Sequence, residues 1–150
     1  MAEALIIYTS LTGNTEACCD IVQEQLESHN IDVTMYDVMD ADPEDFLDYD
    51  IVLVGSYTYG VDGVLPDEME DFHEEMQELD LSGKVYGAFG SGDDFYPVFC
   101  TAVDDFEAAF EAAGATKGGT GVKVNLYPED EDEENLRTLA DNIVKTFEGM

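Results

Sequence analysis

Ala4-Leu5-Ile6-Ile7-Tyr8-Thr9-Ser10-Leu11-Thr12-Gly13-Asn14-Thr15 is the stretch that decides the fold. Its first half is an apolar run without alternation, the pattern of a strand buried on both faces. Its second half sets four hydroxyl or amide side chains, Ser10, Thr12, Asn14 and Thr15, around Gly13. A helical pattern follows at once, with Cys18, Ile21, Val22 and Leu26 on one face. Strand, polar loop and helix in that order place backbone N–H groups at a helix start, which attracts an anion. Residues 9–15 contain no Lys, Arg, Asp or Glu, so the loop reads as a phosphate pocket of neutral donors. A simple helix cap at Thr12 or Asn14 accounts for only one of these residues.

The strand and helix patterns continue along the chain. Ile31–Asp37 alternates, as a half-exposed strand does. Asp42 and Pro43 start a short helical turn. Ile51–Gly55 and Val85–Phe89 are two more unbroken apolar strands. Each is followed by a loop, residues 56–63 and 90–97, and then by a helix. The first of these helices opens at Pro66 and turns Met69, Phe72, Met76 and Leu79 inward; the second buries Phe99, Val103, Phe106, Phe110 and Ala113. Gly121–Leu126 alternates again, and the last helix carries Leu136, Leu139, Ala140, Ile143, Val144 and Phe147. The acids at residues 129–134 sit at its start, where the helix dipole favours them.

The order βαβαβαβαβα predicts a three-layer α-β-α sandwich around a five-stranded parallel sheet. The alternating strands are the second and fifth, so those belong at the edges. That selects strand order 2-1-3-4-5. The length of 150 residues suits one domain over 1–150, and no linker, repeat or low-complexity spacer interrupts it. In such a sheet ligands bind beyond the carboxyl ends of the strands, at the switch between the first and third. Residues 9–15, 56–63 and 90–97 meet there, and the last two bring Tyr57, Tyr59, Phe95 and Tyr96. A phosphate pocket beside two aromatic loops fits a planar ring joined to a phosphate.

Composition narrows the function further. With 36 Asp and Glu against 5 Lys and Arg, the net charge is −31. Nucleic acid and anionic lipid are excluded as partners, because both require basic groups. The field favours positively charged protein surfaces, or the charge is an adaptation to a saline environment; composition does not separate the two. No signal peptide and no membrane-spanning run is visible, so a cytoplasmic protein is expected. Cys18, Cys19 and Cys100 lack metal-ligand spacing and read as small buried thiols; no metal is expected. His29 and His73 read as isolated surface or interface side chains. Gly83-Lys84-Val85 is not the end of a P-loop, and the single Gly13 does not make a dinucleotide fingerprint, which leaves Asp37 as a surface charge. A phosphoacceptor receiver domain needs acids where Thr9-Ser10 and Ser56-Tyr57 stand.

Thr9-Ser10-Leu11-Thr12-Gly13-Asn14-Thr15 resembles the phosphate loop of the flavodoxins. Thr58-Tyr59-Gly60 resembles their second flavin loop, and Gly90-Ser91-Gly92-Asp93 with Tyr96 their third. The uninterrupted fifth strand is similar to their short-chain branch. The resemblance implies non-covalent FMN and low-potential single-electron transfer between redox enzymes, with no catalytic residue. It implies a phosphate held by Ser10, Thr12, Asn14, Thr15 and the backbone N–H groups of residues 11–15, Leu11 and Gly13 included. Tyr96 would stack on the outer flavin face and Tyr59 cover the inner one. Thr58 belongs to the same loop, and the Gly60 peptide would accept a hydrogen bond from reduced flavin. Asp93 and the backbone of Ser91 and Gly92 would contact the pyrimidine end. Val61 and Pro97 depart from the family pattern beside the ring. The implied partners are reductases or oxidoreductases with basic docking surfaces, met by Asp62, Asp67, Glu68, Asp93 and Asp94. A monomer is expected. The alternative on the same fold is a small FMN-dependent quinone or nitro reductase.

Overall fold

The computed structural model describes residues 2–10, 13–58, 65–92 and 100–150. Strand β1 spans Glu3–Tyr8, helix α1 Asn14–Glu27 and strand β2 Asp32–Asp37. Two 3₁₀ segments, Val38–Asp40 and Pro43–Asp48, lead to β3 at Ile51–Tyr57. Then follow α2 (Asp67–Met76), β4 (Val85–Gly92), α3 (Thr101–Ala112), the two-residue β5 (Thr116–Lys117), β6 (Val122–Asn125) and α4 (Asp130–Glu148).

All strand pairs are parallel, in the order β2-β1-β3-β4, with β5 and β6 both paired to β4. This is the expected 2-1-3-4-5 order with the fifth place shared. Thr116–Lys117 lies against Val85–Tyr86, and Val122–Asn125 against Phe89–Gly92. The extra strand has a physical cause. Gly118 N donates to Tyr86 O at 2.9 Å, and the chain then loops out through Gly119 and Thr120 before rejoining the edge. A two-residue ladder is too short to leave an alternating pattern in the sequence.

The unbroken apolar runs follow from two cores. Ala4, Ile6, Ile51, Leu53, Val85 and Phe89 face α1 and α4. Leu5, Ile7, Val52, Val54, Tyr86 and Ala88 face α2 and α3. Alternate residues of one strand thus enter opposite cores, and both must be apolar. β2 has no fully buried residue, as an edge strand should. Tyr86 stacks on Phe110 at 4.8 Å and donates from its hydroxyl to Glu111 Oε2 at 2.6 Å. Phe46, on the second 3₁₀ segment, meets Phe72 and Phe110. Lys84 Nζ holds that segment's end by donating to the Leu47 and Tyr49 carbonyls.

β3 and β4 run farther than expected. Ser56 and Tyr57 pair with Gly90 and Ser91, so the second and third loops start later than residues 56 and 90. A Cβ on Gly90 would lie 2.0 Å from Ser56 O. Only glycine lets the two backbones approach here, and the residue that made this stretch look like a loop is what keeps it in the sheet. The expected burial of Phe99 lies outside the described residues.

Candidate cofactor site

β1, β3 and β4 are neighbours in the sheet and run parallel, so their carboxyl ends lie side by side. Thr9 N donates to Gly55 O at 3.0 Å, which fixes the start of the first loop against β3. Gly13 then takes φ +89°, with nothing within 4 Å of the place a Cβ would occupy. The position demands glycine for its backbone alone. It turns the chain into α1, whose first residue is Asn14.

The start of α1 is capped by Ser10. Ser10 Oγ accepts from Gly13 N at 3.0 Å and from Glu16 N at 3.3 Å. The cap residue by position, Gly13, has no side chain to offer. Ser10 spends its lone pairs on the loop and keeps its proton for an outside acceptor. Thr15, in the first helical turn, is buried, and its Oγ1 lies 2.7 Å from the buried Ser91 Oγ of β4.

The second segment is anchored at Thr58. Thr58 N donates to Ser91 O at 3.0 Å, and Thr58 Oγ1 accepts from Ala102 N at 3.1 Å. The second bond caps α3, because Cys100 at the cap position adopts φ +52° without a side-chain hydrogen bond. Ser91 therefore ties α1 to β4 through its side chain and to the end of β3 through its carbonyl. Tyr57 Oη donates to Glu68 Oε1 at 3.0 Å beside a cavity of about 210 Å³ lined by Tyr57, Pro66, Asp67 and Glu68. Gly92 O accepts from Leu126 N at 2.8 Å, so β6 supports the end of β4.

Of the expected site residues, Ser10, Gly13, Asn14, Thr15, Thr58, Ser91 and Gly92 are described and lie at this end of the sheet. Leu11, Thr12, Tyr59, Gly60, Asp93 and Tyr96 lie outside the described residues. So do Asp62, Asp94 and Phe95. Two side-chain roles were not visible in the sequence. Only the backbone of Ser91 was expected to contribute, at the pyrimidine end, and its hydroxyl lies against Thr15 Oγ1. Thr58 caps a helix that begins more than forty residues later.

The three segments carry no basic residue, and the chain as a whole is strongly acidic. The basic residues are Lys84, Lys117, Lys123, Arg137 and Lys145, and none falls in residues 9–15, 56–63 or 90–97. Lys117 pairs with Glu107, Lys123 with Asp104, and Arg137 with Glu24 and Glu133. The three thiols are buried. Burial pushes Cys18 and Cys100 up to about 12 and Cys19 well above its usual value, so all stay protonated and unreactive. Tyr8 is also raised, first by burial and then by Glu16. Asp37 accepts from Met39 N at 2.9 Å, a local cap. His29 pairs with Asp141, and His73 packs edge-on to Phe106 with its Nε2 3.1 Å from Asp105 O. No cluster of metal-binding side chains occurs among the described residues.

The flavodoxin family model matches residues 6–138, most of the chain and all three segments 9–15, 56–63 and 90–97. The chain belongs to the flavodoxin family. It is 44% identical over 137 residues to probable flavodoxin 2 of Bacillus subtilis, covering 91% of this chain and 90% of that one. The solved flavodoxin of Streptococcus pneumoniae TIGR4 superimposes with a TM-score of 0.93 at 48% identity, covering 97% of this chain and 99% of that one. A short-chain flavodoxin associated with a bacterial microcompartment superimposes with a TM-score of 0.95 at 44% identity, covering 98% and 99%. This flavodoxin is of the short-chain type. Flavodoxins are electron-transfer flavoproteins that hold FMN non-covalently, and this chain is an FMN-binding electron carrier rather than an enzyme. It passes electrons to redox partners, and no helix among its described residues is long and apolar enough to cross a membrane.

The described residues fit that cofactor. A phosphate needs donors without competing acceptors. Here a helix start, a hydroxyl whose lone pairs are already occupied, and a buried hydroxyl pair supply them.

Proposed function

We propose that the phosphate of FMN is held by Ser10, Leu11, Thr12, Gly13, Asn14 and Thr15, and that the protein works as a low-potential single-electron carrier. The observation that carries this reading is the turn at Gly13. It leads the chain into α1, where Ser10 Oγ accepts from Gly13 N and Thr15 Oγ1 meets Ser91 Oγ. Thr58, Tyr59 and Gly60 bound one side of the ring and Ser91, Gly92, Asp93 and Tyr96 the other, as the family resemblance implies. The chain forms one domain over 1–150.

Bound FMN supplies reversible one-electron chemistry, and the chain adds no acid, base or nucleophile to it. What the chain contributes is anchoring and charge. Each acid about 10 Å from a site that gains negative charge opposes that gain by ~1.7 kcal/mol at an effective dielectric of ~20. For a one-electron couple this is ~70 mV, and screening reduces it for exposed acids. Asp67 and Glu68 stand in the first turn of α2, close to Tyr57. With Asp62, Asp93 and Asp94 of the loops that the family resemblance assigns to the flavin, they supply negative charge that lowers the potential and attracts basic surfaces of reductases or oxidoreductases. Self-repulsion at a net charge of −31 favours a monomer, and a cytoplasmic location suits the protonated thiols.

A stepwise reductive titration of the FMN-loaded protein tests the reading. Two separate one-electron steps at negative potential, without oxidation of NAD(P)H in the absence of a reductase, are expected. Direct NAD(P)H oxidation, or a single two-electron step, would contradict it.

A further inference from the structure

Thr15 Oγ1 and Ser91 Oγ are 2.7 Å apart, 76 residues apart in sequence, and exposed by only 1% and 3%. Two touching hydroxyls hold two protons, and their contact uses one. The second needs an acceptor, since an idle polar hydrogen in a buried site costs free energy. No further hydrogen bond to either hydroxyl is present among the described residues. The direction of the bond decides where the spare proton goes. If Thr15 donates to Ser91, the oxygen of Thr15 presents only lone pairs to the loop, and these repel an anion. If Ser91 donates to Thr15, the Thr15 proton is free to point into the loop.

We propose that Ser91 is a positioning residue that donates to Thr15 Oγ1 and so commits the Thr15 proton to the FMN phosphate. The bond from Ser91 also polarises the Thr15 hydroxyl and strengthens its donation. The geometry suits this order. Ser91 sits on central strand β4, held through its carbonyl by Thr58 N, while Thr15 occupies the first turn of the helix that faces the loop. In a site without Lys or Arg, fixing the direction of each hydroxyl replaces the charge that orients an anion elsewhere. The inference rests on the reading of Thr15 as a phosphate ligand.

The test compares the dissociation constants of FMN and riboflavin, which differ only in the phosphate, for the full chain and for Ser91→Ala, Thr15→Val and the double variant. Ser91→Ala keeps the backbone bond to Thr58. It should weaken FMN by about fivefold and change riboflavin by less than about twofold, with no further loss when added to Thr15→Val. Ser91→Cys, close in shape but a poor donor, should behave like Ser91→Ala and serves if the alanine variant does not fold. Ser91→Thr, which retains the hydroxyl, should restore the ratio. Equal weakening of FMN and riboflavin, or losses that multiply in the double variant, would overturn the proposal. If Thr15→Val leaves the FMN-to-riboflavin ratio at its original value, the phosphate role of Thr15 fails, and the inference with it.

Discussion

Thr58→Val separates two roles for a residue that the family resemblance places at the flavin. The change keeps the branched shape and deletes the hydroxyl. In the structure that hydroxyl accepts from Ala102 N at 3.1 Å, and α3 has no cap of its own because Cys100 sits at φ +52°. Loss of a side-chain cap costs about 0.5–2 kcal/mol, and the partly buried N–H left behind places this one at about 1.5 kcal/mol. α3 brings Val103, Phe106 and Phe110 into the core, so the loss should reach global stability instead of fraying one turn. For a chain of this size that is a fall in melting temperature of about 3–6 °C. With a urea slope of about 2 kcal/mol/M it is also a fall in midpoint of about 0.7 M. Urea unfolding of the apoprotein, followed by far-ultraviolet circular dichroism, measures it. FMN affinity should change by less than about threefold, since the backbone bond from Thr58 N to Ser91 O survives. An unchanged midpoint with a tenfold or greater loss of FMN affinity would refute the reasoning and assign the hydroxyl to the cofactor.

Gly13→Ala should destabilise the apoprotein by about 1 kcal/mol, because φ +89° is costly for any residue with a Cβ although the space is open. Denaturant unfolding measures this, and no loss of stability would show that the turn relaxes. Asp141 is held below the usual carboxylate range, first by the hydrogen bond from His29 and then by that from Gln25. Its folded pKa is depressed, so the stability it adds is present above about pH 4 and fades as the pH falls through the folded value. Asp141→Asn should therefore lower stability at pH 6 by well under about 1 kcal/mol, the pair being exposed, and the difference should vanish toward pH 2; a difference that grows on acidification would be contrary to this sign.

The sheet was legible in the sequence because covering both faces forces unbroken apolar runs on β1, β3 and β4 and leaves alternation only at the edges. The polar loop after β1 was legible because it sets uncharged hydroxyl and amide side chains, all able to donate, between a buried strand and a helix start. What escaped reading depends on approaches between distant parts of the chain. Ser56-Tyr57 and Gly90-Ser91-Gly92 looked like loop, since nothing local reveals that Gly90 must admit the Ser56 carbonyl. Ser10 reaches forward six residues to Glu16 N, a span that no local pattern marks. The hydroxyl roles of Thr58 and Ser91 are set by partners on other elements, and β5 is too short to carry a period.

The central claim is that a loop without positive charge binds a phosphate in a strongly acidic protein, and calorimetric titration of the apoprotein with FMN and with riboflavin tests it most directly. Two charge-assisted hydrogen bonds of about 1.5 kcal/mol each make FMN at least about a hundredfold tighter than riboflavin. The ratio should rise with ionic strength as the field of a −31 chain is screened. Equal affinities, or tighter binding of riboflavin, would mean that the overall field prevails and that residues 10–15 do not hold the phosphate.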